Sequence, residues 1–176
     1  MIAVYACVRK PGITTEETVP ALAKNYAELT GTAWEPGTSV CRTQRGKPYF
    51  CASPLHFSVS HSGSYWACAF YTADLGMDLQ EHRSTNPEPV VRRFFHPEER
   101  KHLEESGFTD FFDLWAAKES YVKYTGSGIS DSFSGFSVLG GCPARFYPIP
   151  FMDGYSLCVC IGPEGAQPDS KVIWFD

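Results

Sequence analysis

Hydrophobic and polar positions divide this chain into short strands and helices. Ile2–Val8 is an unbroken apolar run, IAVYACV, which predicts a strand buried on both faces. Thr15–Thr30 has helical spacing: Leu22, Tyr26 and Leu29 share a stripe, Glu16 and Glu17 come early, and Gly31 is a stop signal. Pro20 interrupts the pattern, so the firm helix is expected from Val19 or Pro20 onward. Residues 31–56 read as irregular. Over residues 57–62, Phe57, Val59 and His61 fall on one face of an extended segment, and Ser58, Ser60 and Ser62 on the other. Tyr65–Tyr71 is apolar on both faces and predicts a central strand. Residues 75–80 predict another strand, with Asp78 and Gln80 on the same face. Helices are predicted over 87–95, over 96–105, and from an N-cap at Thr109 to Tyr124. Residues 133–138, 144–147, 155–161 and 172–175 read as strands, the last two as a hairpin or meander. The order implies a mixed α+β fold rather than a wound parallel sheet.

Composition narrows the class. With 176 residues, 43% apolar and 15% aromatic, the chain is long and apolar enough to fold around a real core. The formal net charge of -5 disfavours nucleic acid as the main partner, although Arg9-Lys10, Arg42, Arg45, Lys47 and Arg92-Arg93 offer local basic patches. No stretch reads as a secretory signal or a membrane span, so a cytoplasmic protein without membrane attachment is expected. The seven cysteines, most in strand-like runs, are then expected as reduced core thiols.

Two acids stand out. Glu119 lies on the edge of the aromatic stripe Phe111, Trp115 and Val122, flanked by Lys118 and Lys123. Taken alone, Glu119 and Lys123 read most simply as an i,i+4 surface pair. Asp78 sits in an otherwise apolar strand, Leu75-Gly76-Met77-Asp78-Leu79, where a carboxylate needs an arginine, backbone donors or a metal. One divalent cation would answer both acids, because Mg²⁺ takes few protein carboxylates and completes its shell with water and phosphate oxygens. His61 reads either as a hydrogen-bonded core histidine or, with Ser60 and Ser62, as part of a phosphate-binding cluster. A Ser60-His61 nucleophile is disfavoured because adjacent strand residues point opposite ways. Gly46-Lys47-Pro48 is by itself only a turn carrying a cation.

Taken in order, these segments resemble the 4′-phosphopantetheinyl transferases, in their longer, Sfp-like branch. The resemblance rests on Gly46-Lys47-Pro48, on Phe57 to Ser62 (FSVSHS), on Gly76-Met77-Asp78 and on Phe94-Phe95 with Glu98-Glu99. It rests above all on Trp115-Ala116-Ala117-Lys118-Glu119-Ser120 with Lys123, Gly126 and Gly128. It implies a pseudo-symmetric fold of two α+β halves, 1–73 and 74–176, packed as one unit, with the first half trimmed. It also implies transfer of 4′-phosphopantetheine from coenzyme A to a serine of an apo acyl or peptidyl carrier protein, with Mg²⁺, releasing adenosine 3′,5′-bisphosphate. Asp78 and Glu119 would bind the metal, and Gln80 stands where the family has a further acid. Glu119 would be the base, directly or through a bound water, and Lys123 would meet phosphate. Ser60, His61 and Ser62 would contact coenzyme A phosphates, and Lys47 with Pro48 the adenosine end. Lys118 is grouped with the coenzyme A contacts and, with Trp115, would orient the metal helix.

Two departures shape the expectations. Gln80 removes a negative charge from the metal site, which motivates a second reading: a non-catalytic module that binds coenzyme A or carrier protein. A metal-dependent phosphohydrolase ranks third, since acids for a second metal are missing. The arginine-bearing segment expected before Gly46 is also missing, so Arg42 or Arg45 is expected to supply part of the coenzyme A pocket. The chain is expected as a monomer or a weak homo-oligomer. Arg92, Arg93, Arg100 and Lys101 are the candidate docking patch for a carrier, with a solvated helix face as the equal alternative.

Overall fold

The computed structural model describes residues 1–128 and 131–176. The chain runs β1 (Ile2–Val8), α1 (Thr15–Thr30), β2 (Val40–Arg42), β3 (Pro48–Phe50), β4 (His56–Ser62), β5 (Tyr65–Tyr71) and β6 (Leu75–Glu81). It continues through α2 (Glu88–Phe94), α3 (Pro97–Glu105), α4 (Phe111–Thr125), a 3₁₀ turn (Asp131–Gly135), β7 (Arg145–Pro148), β8 (Tyr155–Ile161) and β9 (Ser170–Trp174). This is the mixed α+β class that the pattern predicts.

A four-stranded sheet has the order β4-β5-β1-β9, and a three-stranded sheet the order β6-β8-β7. The unbroken apolar run of β1 explains how they stack. Ala3, Tyr5 and Cys7 face a core closed by α1 through Val19, Leu22 and Tyr26. Ile2, Val4 and Ala6 face a second core shared with Leu75, Met77 and Leu79 of β6 and with Leu157, Val159 and Ile161 of β8. The opposite face of β6 carries Gly76, Asp78 and Gln80 toward α4.

The seam between β4 and β6 is made by side chains. The Oγ atoms of Ser58, Ser60 and Ser62 accept hydrogen bonds from the backbone N–H groups of Met77 (2.9 Å), Leu79 (3.2 Å) and Glu81 (2.9 Å). Edge donors buried between two sheets would otherwise be left unpaired, at a cost of about 1–3 kcal/mol each. The period-two serines answer that need.

Several expectations are corrected. Pro20 lies inside an uninterrupted α1, in its second turn, where Thr14 caps the helix by accepting the Glu17 N–H. Residues 31–56 contain the β2–β3 hairpin, and Cys41 and Cys51 form a disulfide across it, so the expectation of seven reduced thiols fails for this pair. The other five cysteines are free. The cap position of α4 is Asp110, not Thr109, whose hydroxyl donates to Ser106 O and Asp110 Oδ1. Residues 133–138 form no strand. β8 and β9 do not form a hairpin: β8 pairs with β6 and β7, while β9 runs parallel to β1, with Val4 opposite Val172. Among the described residues, no helix is long and apolar enough to cross a membrane.

α4 lies directly on β6. A Cβ built on Gly76 would collide with Ser120 O and with the Tyr124 N and Lys123 C of the α4 backbone. Only a residue without a side chain permits this approach. Gly76→Ala is therefore expected to lower stability by about 3 kcal/mol, the upper end of the usual cost of overpacking. The loss would be read from urea unfolding, and a loss under about 1 kcal/mol would show that α4 and β6 separate easily.

Candidate active site

Both faces of the β6–α4 contact deliver charged groups to one place. Asp78 is buried at 6% exposure. Its Oδ1 accepts hydrogen bonds from the Ser60 hydroxyl and the Lys123 ammonium, each at 2.7 Å. Lys123 Nζ also donates to Val59 O at 3.3 Å. The i,i+4 surface pair is thus not formed: Lys123 reaches across to β6 and leaves Glu119 without an ion pair among the described residues. Glu119, half-buried one turn earlier on α4, has its carboxyl pushed up to about 7. Burial is the main cause, the charge of Asp78 adds to it, and Lys123 opposes it.

These groups line one cavity of about 310 Å³ with Ser60, His61, Gln80 and Trp115. On the other side of Glu119 and Lys123, a second cavity of similar volume is lined by Arg45, Lys47, Pro48 and Ser58. The predicted residues Asp78, Glu119, Lys123, Gln80, Ser60 and His61 are therefore together, and Lys47, Pro48 and Arg45 are next to them.

Others are placed differently. Lys118 is fully buried and lines neither cavity, so it cannot touch a ligand there. Consecutive helix residues are about 100° apart, which turns it away from Glu119. Its Nζ pairs with Glu99 at 2.8 Å, donates to Phe136 O at 2.8 Å and sits 4.0 Å from the Phe136 ring centroid. Glu99 in turn accepts the N–H groups of His96 (2.9 Å) and Val138 (2.8 Å). Burial pushes the Lys118 ammonium below its ordinary range, and the Glu99 charge opposes that shift. Removing one member of such a fully buried pair costs about 3–5 kcal/mol, because it strands the other charge. Arg42 lines neither cavity and is tied to Glu16 at 2.6 Å. Ser62 lies outside both cavities, on the Glu81 N–H.

Lys47 and Arg45 act on the end of α4. Lys47 Nζ donates to Tyr124 O at 2.9 Å and Leu75 O at 3.5 Å, and Arg45 Nη1 donates to Ser127 O at 2.7 Å. The last carbonyls of a helix have no partner within it and favour a cation. The β2–β3 turn thereby holds the helix that carries Glu119 and Lys123. The sequence reading gave no role to Glu99, although its place three residues after His96, at the start of α3, is a capping-box signal.

A family model described as the 4′-phosphopantetheinyl transferase superfamily matches residues 74–169, more than half of the chain. The chain belongs to that superfamily. The matched residues begin just before β6 and end just before β9, so they hold Asp78, Glu119 and Lys123. The 4′-phosphopantetheinyl transferase Sfp of Bacillus subtilis (strain 168) is 37% identical over 144 residues, covering 70% of this chain and 61% of its own length. A second 4′-phosphopantetheinyl transferase of Bacillus subtilis is 37% identical over 109 residues (58% and 47%). The 4′-phosphopantetheinyl transferase HetI of Nostoc is 41% identical over 96 residues (49% and 40%). These relatives support the Sfp-like branch of the superfamily. The chain spans roughly 40–60% of the length of these three relatives.

The donor set fits a hard divalent cation. Asp78 and Glu119 are two carboxylates in mutual repulsion on one cavity wall, with the Gln80 carboxamide beside them. Among the described residues, no group of three or more His, Cys, Asp and Glu side chains is placed to hold a metal ion. Two oxygen acids with open positions suit Mg²⁺, which keeps waters and accepts phosphate oxygens, and do not suit a closed zinc site.

Two outcomes are expected. In metal-free protein the raised Glu119 carboxyl favours the fold when neutral. Its contribution is full below the ordinary value of 4.5 and is lost as pH rises through about 7. Glu119→Gln should remove that part of the decline in urea-unfolding profiles between pH 4.5 and 8. Profiles that stay parallel over this window would contradict the raised carboxyl. Separately, Gln80→Glu restores a negative charge, and calorimetric titration should show Mg²⁺ binding about tenfold tighter than in the unsubstituted chain, with unchanged or weaker binding as the contrary result.

Proposed function

We propose that this chain transfers the 4′-phosphopantetheine group from coenzyme A to a serine of an apo acyl or peptidyl carrier protein, releasing adenosine 3′,5′-bisphosphate. The observation that carries this reading is the convergence of Asp78, Glu119 and Lys123 on one cavity within the superfamily segment. Asp78 and Glu119, with Gln80 beside them, would hold Mg²⁺, which when bound neutralises pyrophosphate charge. The carrier serine oxygen attacks the phosphorus that bears the pantetheine. The bond from that phosphorus to the bridging oxygen breaks, and the adenosine bisphosphate leaves with the electron pair. Glu119, directly or through a bound water, receives the serine proton. Lys123, already within 2.7 Å of Asp78, moves its charge onto phosphate oxygens as they arrive. Trp115 forms part of the cavity wall and packs on Phe95, Phe111 and Phe133, which holds α4 in place. Five of the seven cysteines are free thiols, which favours a reducing, cytoplasmic setting, and the Cys41–Cys51 disulfide is the exception to it.

A second reading, binding without transfer, is favoured by the Lys123–Asp78 ion pair and by the neutral Gln80. The test separates the two. The protein is incubated with coenzyme A, Mg²⁺ and an apo carrier protein, and the carrier is then weighed. A gain of one phosphopantetheine, lowered at least about 10³-fold in rate by Glu119→Ala with the fold intact, is the expected result. Coenzyme A bound to the protein beside an unmodified carrier would replace transfer by the second reading.

A further inference from the structure

The β2–β3 hairpin carries more of the site than its own backbone bonds secure. Arg45 and Lys47 reach from it to Ser127 O and Tyr124 O, and with Pro48 they line the cavity beside Glu119 and Lys123. Among the described residues, β2 and β3 pair only with each other, from Val40 opposite Phe50 to Arg42 opposite Pro48. Pro48 has no N–H to give, so this short ladder also lacks a donor. A lone two-stranded hairpin of this kind is marginal in water. β3 is anchored through Phe50, which is buried against Trp34 and Phe57. β2 has weaker ties: Val40 is only partly buried, and Arg42 holds Glu16 in an exposed ion pair that contributes little. The covalent fastening of β2 to β3 is the Cys41–Cys51 disulfide. Cys51 is exposed and Cys41 half-buried, so a thiolate from solvent has a sulfur to attack. In the reducing setting proposed above, an accessible disulfide is a poised pair rather than a permanent staple.

We propose that Cys41 and Cys51 form a redox switch: as a disulfide they hold the hairpin against α4, and reduction by a dithiol loosens it and weakens ligand binding beside Glu119. That the ligand is coenzyme A rests on the reading proposed above; the loosening of the hairpin does not. The exchange balances. A thiolate of the dithiol attacks one sulfur of the pair, and the S–S bond breaks to leave a mixed disulfide and one cysteine thiolate. The second thiol of the dithiol then displaces the other cysteine. Two electrons pass to the pair, each cysteine sulfur takes a proton, and the dithiol leaves as a disulfide. Without the cross-link β2 parts from β3 more often, and the turn between them, residues 43–47, loses one of its two supports. Arg45 and Lys47 then spend less time on the α4 carbonyls, and the cavity wall that they form with Pro48 opens with them.

The test uses the full chain in two states, oxidised with glutathione disulfide and reduced with dithiothreitol. Alkylation after denaturation, read by mass, should count five thiols in the first state and seven in the second. Seven in both would overturn the switch. Hydrogen exchange needs no ligand: reduction should speed it at least about tenfold over residues 40–51 and over the last turn of α4, and leave β1 and β5 unchanged. Unchanged exchange over the hairpin would overturn the switch. Coenzyme A, titrated calorimetrically with Mg²⁺, should bind at least about tenfold more weakly to the reduced chain, and reoxidation should restore the affinity. Cys41→Ser with Cys51→Ser should bind like the reduced chain and ignore dithiothreitol. Binding like the oxidised chain, or a response to dithiothreitol that persists in this variant, would count against the pair. Equal affinity in the two redox states would overturn the switch while leaving the transferase reading in place. Binding to neither state would overturn the transferase reading, and hydrogen exchange would still decide whether the disulfide governs the hairpin.

Discussion

The contact of α4 with β6 at Gly76 is the constraint on which the rest depends. Asp78 lies two residues along the strand from Gly76, on the same face, while Glu119 and Lys123 lie on the helix that meets it. The missing side chain brings the helix backbone against the strand. That approach lets the Lys123 ammonium reach Asp78 and puts Glu119 within the field of the Asp78 charge. A methyl group at position 76 would separate the two carriers of charge. The raised Glu119 carboxyl is a consequence first of burial and then of its closeness to the Asp78 charge.

Three devices keep α4 seated. The Glu99–Lys118 pair buries two charges at a desolvation cost of several kcal/mol each. Every arm of the pair is used: two backbone N–H groups on Glu99, and a carbonyl and an aromatic face on Lys118. It ties α4 to α3 and to the segment that follows the helix. At the far end, Arg45 and Lys47 accept the duty of a C-cap, and the Cys41–Cys51 disulfide closes the hairpin that presents them. On the strand side, the three serines of β4 hold β6 by its free edge, and Ser60 also donates to Asp78. The site is thus positioned by polar groups that are almost all satisfied within the protein. Among the described residues, no buried side-chain nitrogen or oxygen lacks a hydrogen bond.

Much of this was legible in the chain. The apolar run of β1, the two-sided burial of β5 and the helical stripes of α1 and α4 all follow from local periodicity, which one face of one element is enough to reveal. An acid in an apolar strand pointed to Asp78 for the same local reason. The hairpin of β2 and β3 escaped notice because strands of three residues are too short to carry a period. Residues 133–138 read as a strand from their aromatic spacing, but Phe133 and Phe136 are spent on surrounding the Lys118 ammonium, a need invisible without the fold. Lys118 seemed to belong with Glu119 because it is adjacent in sequence, whereas helix geometry sends it to the other side.

The sequence by itself determined the longer elements and marked the candidate site residues, since both depend on periodicity and on residue types over a few positions. Only the tertiary structure decided the partners: Lys123 with Asp78 rather than Glu119, Lys118 with Glu99, the β4 serines with backbone N–H groups and β9 with β1. The physical reason is that a charge or an edge donor is settled by whatever reaches it across 19 to more than 100 residues of chain, and long-range pairing leaves no local pattern to read.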